Sequence, residues 1–443
     1  MKLDELKGCL KENGVVGAGG AGFPAYAKLS DKADTIILNC AECEPLLRLH
    51  RQVLEKNTFE ILSALDFVAK SVGAENIIIG IKASYTAALE ALRAQKDSFP
   101  HIKVSKMKSF YPTGDEVILI YETTGRVVPP GGIPIAVGTI VYNVETMLNA
   151  YNAVKNKKPV TSKYVTITGE VANPITVQVP LGITVKELVD LAGGATTKDP
   201  AYINGGPMMG SLVSQFDVVT KTTNAIVVLP KNHHVINKKT ANISIDMKRA
   251  MASCCQCRMC TDLCPRHLLG HPINPSEFMR SASSGDTQNT IALIDTMFCS
   301  QCGICEMYAC GQGLSPRTLI GEYKAGLRKE GVKVPQGVEA APVPKARDYR
   351  RVPTYRLVTR LGLGKYDRPA PYEDVEYKPK KVKLMLNQHI GAPGSVLVAE
   401  GDSVTAGQLV ASVPADALGV NIHASIDGRV ANVTDKFIII EAE

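Results

Sequence analysis

Leu3, Leu6 and Leu10 fall on one side of a helix drawn through the opening "MKLDELKGCLKENG", at the three-and-four spacing of a packed helical face. A glycine-rich stretch comes next, and after it "TIILNC" (residues 35–40) reads as a strand. Further on the period shortens to two. Val165 and Ile167 alternate with polar residues, as do Val177 and Val179, which predicts strands; a helix is expected from about Val185 to Leu191. From about Lys383 the alternation returns in "QHIGAPGSVLVAEGDSVTAGQLVAS" and "VNIHASIDGRVANV", around the turn "EGDSVTAGQ". A small unit built of strands is expected there. No uncharged apolar run reaches the ~18 residues of a membrane helix, so no membrane span is expected.

The 443 residues exceed one ordinary domain; length alone suggests about three. Apolar residues make up 45%, enough for real cores. A net charge of +7 is mild for this length, and there is no tryptophan for base stacking, so no nucleic-acid partner is expected. Lys and Arg gather between Lys345 and Lys383 among prolines and tyrosines. A solvated linker wrapping over a neighbouring domain is expected there; an acidic docking partner is the other reading. The charged opening lacks a signal-peptide core, so the protein is expected to be intracellular and cytoplasmic. The first helix is read as packing on its own domain rather than as an address label.

Twelve cysteines in an intracellular chain are not expected to form disulfides. In "CCQCRMCTDLCP", Cys254, Cys257 and Cys260 follow C-x2-C-x2-C, Cys264 comes four residues later, and Pro265 ends the run. This is the spacing of an iron–sulfur loop, in which closely set cysteines reach three corners of a cubane and the fourth comes from elsewhere. The pattern recurs at Cys299, Cys302 and Cys305, with Cys310 following. In two-cluster ferredoxins the trailing cysteine ligates the other cluster. Cys254, Cys257, Cys260 and Cys310 are therefore assigned to one [4Fe–4S] cluster, and Cys299, Cys302, Cys305 and Cys264 to a second. The second run is one residue longer than usual and lacks the proline. Zinc is the competing reading, but zinc knuckles use C-x2-C pairs rather than triplets with a trailing fourth. Cys255 is off the spacing and reads as a bystander.

Glycines stand at 14, 17, 19, 20 and 22 in "NGVVGAGGAGFPAYAK". Such a loop lets backbone N–H groups approach a phosphate, but the strand that a Rossmann motif needs lies after it, not before. "GAGGAGFPAYAK", "NCAECEP" (39–45), "YPTGDE" (111–116) and "YNVET" (142–146) resemble, in order and spacing, the flavin-binding subunits of respiratory complex I and the Rnf complex. That resemblance spans about residues 10–155 and implies FMN as cofactor with NADH as hydride donor. It implies that Gly17, Gly19, Gly20 and Lys28 hold the FMN phosphate. Asn39 and Asn143 would contact the ribityl chain or ring, and Phe23 would stack on NADH. Glu42, Glu44, Tyr111, Gly114, Asp115 and Glu116 would line the flavin and nicotinamide pocket, with Glu44 and Glu116 as catalytic candidates. Ala18 and Ala41 stand where complex I has arginine and aspartate; the Rnf-type sequences are more similar there. Cys40 and Cys43 read as small buried residues.

Residues 164–212, with "NGGPMMG" (204–210), resemble the β-grasp, SLBB-type domain that follows the flavin domain in the same family. Met208 and Met209 read as packing residues, with an axial-ligand pair as the other reading. The tail resembles a lipoyl- or biotinyl-type barrel sandwich. No lysine sits near Val420 or His423 at a hairpin tip, so no lipoyl or biotin group is expected. Rnf subunits carry "QHIGAP" in an N-terminal piece; here it is C-terminal. That permuted order resembles the cobalamin reductases of propanediol-utilising bacterial microcompartments.

The implied architecture is multidomain α/β: an FMN/NADH domain (1–158), a β-grasp domain (159–215), a connector (216–248), a helical two-cluster ferredoxin-like module (249–330), a basic linker (331–381) and an unmodified barrel-sandwich hybrid (382–443). The implied activity is NADH-dependent reduction of cob(III)alamin and cob(II)alamin toward cob(I)alamin, with cobalamin as acceptor substrate. A cobalamin adenosyltransferase and microcompartment shell proteins are the implied partners, and self-association is open. An Rnf-like relay subunit of a larger complex is the other reading. No D-x-H-x-x-G cobalamin motif is present; His267 and His271 follow the first cysteine run and read as structural.

Overall fold

A computed structural model describes residues 1–443. A four-stranded parallel sheet lies at the centre of the first module. The strand Thr35–Cys40 runs between Asn76–Lys82 and Thr139–Asn143, with Ile102–Met107 outermost. The near-continuous apolar runs "TIILNC" and "NIIIGIK" suit strands covered on both faces, and their central residues are buried. The opening helix Leu3–Glu12 buries Leu6 and Leu10 against this unit. The glycine stretch that follows is a loop, without a preceding strand.

The β-grasp unit is built on a six-stranded sheet that includes Ser162–Gly169, Ile175–Pro180 and Ala225–Pro230. Its helix spans Val185–Leu191, started by Thr184, whose side chain accepts from the Glu187 amide while Glu187 reaches back to the Thr184 amide. Thr166 and Thr168, the polar positions of the alternating strand, are also buried. The linker explains Thr166. Its hydroxyl meets that of Thr176 at 2.9 Å, Thr176 bonds the Ala370 carbonyl, and Tyr372–Glu373 adds a parallel strand beside Ile175–Pro180.

Helices dominate residues 243–329. The linker then runs back over the first module, as expected, with most of its cations exposed and a few spent on ion pairs. Arg347 is buried and pairs with Glu122 at 2.6 Å, Arg351 joins the same carboxylate at 3.1 Å, and Lys365 holds Glu170 at 2.6 Å. Val352 pairs with Tyr111 in a two-residue strand contact. The tail forms a four-stranded and a three-stranded sheet and returns to the start of the chain. Lys11 bonds the Ala415 carbonyl at 2.8 Å, and the buried Lys221 ammonium donates to the carbonyls of Gly14 and Asn421. No helix is long and apolar enough to cross a membrane.

Candidate electron-transfer site

Each triplet of cysteines winds through residues held in the left-handed region. Gln256 and Arg258 have φ of 53° and 63°, and Gln301 and Gly303 have 60° and 83°. Non-glycine residues adopt this conformation at a cost of about 1–2 kcal/mol each. Here it turns successive cysteines toward one centre. Cys254, Cys257, Cys260 and Cys310 line a single pocket of about 70 Å³. Burial, then the charges of Cys254, Cys257 and Cys310, push the Cys260 thiol up to about 12. Cys264 approaches Cys299, Cys302 and Cys305 instead; burial and the neighbouring Cys264 and Cys299 push Cys302 up to about 12. The neighbours of each cysteine thus follow the crossed order of the assignment, with no three of the thiols drawn to metal-holding distance. The raised thiols of Cys260, Cys264, Cys302 and Cys305 resist ionisation until a polycation takes their charge, which suits the donor chemistry of an iron–sulfur site. Backbone amides already point at sulfur: Gln301 N–H to Cys299 Sγ and Leu314 N–H to Cys310 Sγ, both 3.3 Å. Cys255 is exposed and borders the same pocket as Cys254, Cys257, Cys260 and Cys310, although it is off the ligand spacing.

The flavin-motif residues form two neighbouring groups. In the first, the Gly17 amide donates to the Phe23 carbonyl and Ala18 N–H to Thr146, closing the glycine loop. Gly19 faces the side chains of Asn143 and Asn224, and a Cβ there would lie 2.6 Å from Asn224. Gly20, at φ +68°, has nothing within 4 Å of a built Cβ, so its backbone is open to a ligand. Asn143 caps the helix Val144–Lys155 through Glu145 N–H and bonds His50 at 2.8 Å. In the second group, the Asn39 side chain donates to the Gly114 carbonyl at 2.8 Å, and Gly114 packs so tightly on the Ala41 carbonyl that no Cβ fits.

Glu42 is buried with neither carboxylate oxygen hydrogen-bonded. His50 and Arg51 lie 3.9 and 3.7 Å from its oxygens. Burial alone would raise this carboxyl, but the charges of His50 and Arg51 hold it below its usual range. An ionised, buried acceptor approached as a donor only by the His50 backbone amide suits a ligand that brings an N–H or O–H.

Four residues have partners that the motif did not foretell. Lys28 is tied to Glu116 at 2.5 Å and to the Val141 carbonyl at 3.0 Å, so its charge is half spent before any phosphate arrives. Glu44 turns toward the β-grasp unit and accepts from the amides of Met208 and Met209 at 2.9 and 2.8 Å. Asp115 caps the helix Glu116–Thr124 and is gripped by both terminal nitrogens of Arg266 at 2.6 and 2.9 Å. The Tyr111 hydroxyl donates to the Cys302 carbonyl at 2.8 Å. Both oxygens of Glu44 and Asp115 are therefore engaged in joining modules. Met208 is buried beside Cys302 and Tyr111, as a packing residue. His267 bonds the Ile273 carbonyl and His271 the Val128 carbonyl, each at 3.0 Å. Arg266, His50, Arg51 and Asn224 were missed in the sequence; only Arg266, directly after the "CP" of the cluster run, carried a local signal.

Four family matches tile the chain. Residues 10–152 match the Nuo51 FMN-binding domain, 164–211 the SLBB domain, 253–315 a 4Fe–4S dicluster domain and 370–442 the RnfC barrel sandwich hybrid domain. Cobalamin reductase PduS of Citrobacter freundii is 41% identical over 96% of this chain and 94% of its own length. The protein of that name from Salmonella typhimurium is 40% identical over 99% of this chain and 97% of its own. A component of the Na(+)-translocating ferredoxin:NAD(+) oxidoreductase complex of Acetobacterium woodii is 34% identical over 63% of this chain and 61% of its own.

Proposed function

The chain belongs to the cobalamin reductase family, and from that membership we propose that it carries electrons from NADH, by way of FMN and two [4Fe–4S] clusters, to cob(III)alamin and cob(II)alamin. The cob(I)alamin formed would feed coenzyme B12 regeneration. The observation that carries this reading is 41% identity over 96% of the chain, which leaves neither the flavin segment nor the cysteine segment outside the relationship.

FMN, when bound, converts the paired electrons of a hydride into the single electrons that iron–sulfur clusters accept. The chain's part is positioning. The open backbone at Gly20, flanked by Gly17 and Gly19, would take the phosphate, with Lys28 shared between it and Glu116. Asn39 and Asn143 would face the ribityl chain or ring from the ends of neighbouring strands, and Phe23 would stack on the nicotinamide nucleotide. Glu42 supplies a fixed, desolvated acceptor for a donor on the flavin or nicotinamide. Glu116, at a helix N-terminus, pairs with Lys28. Glu44 acts as a positioning residue, since both its oxygens hold the 208–209 backbone. Gly114 lets its segment close on the Ala41 carbonyl, and Tyr111 ties that segment to the second cysteine set.

By the same family resemblance, the protein would work in or beside a bacterial microcompartment. A cobalamin adenosyltransferase would consume its product there, and shell proteins would be its neighbours. The test is anaerobic purification, assay of FMN, iron and sulfide, and then NADH-driven reduction of hydroxocobalamin by the protein alone. Cobalamin reduction dependent on NADH is expected. Bleaching of the flavin without cobalamin reduction would replace this reading with a relay subunit of a larger complex.

A further inference from the structure

The two cysteine sets differ in what covers them. Cys302 belongs to the same buried apolar cluster as Leu46, Tyr111 and Met208, and its carbonyl holds the Tyr111 hydroxyl. Arg266, two residues beyond Cys264, is clamped to Asp115. This set abuts the flavin module. The other set is covered more lightly, by Arg360 on the Cys310 carbonyl at 3.3 Å and Lys238 on the Gly313 carbonyl at 2.6 Å. Every residue lining its pocket lies between 254 and 316, and Cys257 is exposed.

We propose that electrons enter at the Cys264, Cys299, Cys302 and Cys305 set and leave at the Cys254, Cys257, Cys260 and Cys310 set. We further propose that the surface around the exit set docks an acidic protein carrying a one-electron acceptor near its own surface. The inference rests on the electron-transfer reading above and adds a direction, an exit and a partner chemistry to it.

The exit surface has the composition for this. The helix Ile243–Ser253 runs straight into Cys254 and buries Asp246 and Ala250. Its outer side carries Ile245, Lys248, Arg249 and Ala252 at helical spacing, with Met251 beside them. Ile245 is 57% and Met251 61% exposed. The cysteine loop adds exposed Arg258 and Met259. Three cations and three apolar side chains thus stand exposed on the cysteine loop and the helix that leads into it, with Arg258 lining the pocket itself. The acidic residues within this stretch do not offset them: Asp246 is buried, and Asp262 is paired with Arg350 at 2.9 Å. A neutral macrocycle would make little use of three cations, whereas a carboxylate-rich protein face would be steered by them. Electron-transfer encounters are small and brief, so a few charges around a small apolar centre suffice. Each NADH oxidised to NAD⁺ releases one proton and two electrons, so two partner molecules each take up one electron and no other reactant is needed.

The experiment uses the holoenzyme with NADH and two haem-protein probes, acidic cytochrome b5 and basic cytochrome c. Cytochrome b5 should be reduced faster at low salt, and its rate should fall on the order of tenfold when ionic strength is raised from about 0.01 M to about 0.5 M. A Lys248→Glu/Arg249→Glu variant with unchanged iron content should show a loss of the same order. Carbodiimide treatment should join Lys248 to cytochrome b5, a readout that needs no turnover. A preference for cytochrome c, a salt-independent rate, an unaffected charge-reversal variant or the absence of the cross-link would each overturn the inference. Failure of NADH to bleach the flavin sinks the broader reading instead, so the two failures are distinguishable.

Discussion

The hydroxyl of Tyr111 donates to the backbone carbonyl of Cys302 at 2.8 Å, across 191 residues of chain. One end of this bond sits in the flavin motif and the other between two cysteines of the buried set. Both residues are fully enclosed in one apolar cluster with Met208 and Leu46, so no water replaces a lost partner. Tyr111→Phe should leave one carbonyl unsatisfied, at about 1–3 kcal/mol. Stopped-flow absorbance should show flavin reduction by NADH little changed and cluster reduction slowed. Cluster reduction at the wild-type rate would remove Tyr111 from the electron path.

Asp115 and Arg266 fasten the same two modules by charge. Their side chains are only 20% and 12% exposed, so removing one charge strands the other. Asp115→Asn keeps the helix cap but breaks the pair, and should cost about 3 kcal/mol. Asp115→Ala loses the cap as well and should cost about 1 kcal/mol more. Thermal melts of the three proteins test the order; equal melting of wild type and the Asn variant would contradict it.

The crossed cysteine grouping makes an asymmetric forecast. Cys257→Ser should remove about four of about eight irons per chain and leave most of the other cluster. Cys255→Ser should remove none. Iron analysis with electron paramagnetic resonance after reduction distinguishes the sets. Unchanged iron in the Cys257 variant would mean that the ligands are wrongly assigned.

Much of this is legible along the chain itself. The cysteine spacing implied the crossing because ligand geometry is local to each run and its rule is general. The helix Val185–Leu191 announced itself by period and by the Thr184–Glu187 box. What sequence could not reveal was how side chains are spent once distant segments meet. Asp115 and Glu44 read as pocket residues, yet their partners lie 151 and 164 residues away. The polar Thr166 gave no hint of burial, because the covering strand comes from the linker near Tyr372. Most of the linker's cations are solvated, as they read in the sequence, but Arg347 is buried on Glu122, more than two hundred residues away.

Gly20 separates space from conformation. A side chain there would meet nothing within 4 Å, but φ is +68°. Gly20→Val should therefore be strained, by about 1–2 kcal/mol, and should place a branched side chain where phosphate would lie. The purified variant should lack flavin absorbance and keep its iron. Gly20→Asn, which tolerates this φ, should keep more flavin than the Val variant. Full flavin retention in Gly20→Val would sink the loop assignment.

Lys221 sets a pH dependence. Burial pulls its ammonium down from 10.5 to about 7. Between those values the unfolded chain binds the extra proton, so this group makes stability rise with pH across the window, by up to about 1.4 kcal/mol per pH unit. Below pH 7 its contribution is level. Lys221→Met should flatten that slope while losing the bonds to Gly14 and Asn421. Urea midpoints measured across the window check it; parallel slopes in the two proteins would refute it.

The tail's return to the glycine loop has a consequence for synthesis on the ribosome. Gly22 is packed against Thr222 and against Gln388 and His389, and Gly14 against Asn421. The two cysteine runs are complete by residue 310, but the loop meant for the flavin gains its last wall only when the barrel emerges, more than a hundred residues later. A chain that stalls or is clipped in between could assemble its clusters yet lack a finished flavin cradle. Synthesis must therefore reach the barrel before the hydride-accepting end can close, so chains stalled short of it are poor conduits from NADH to stray oxidants.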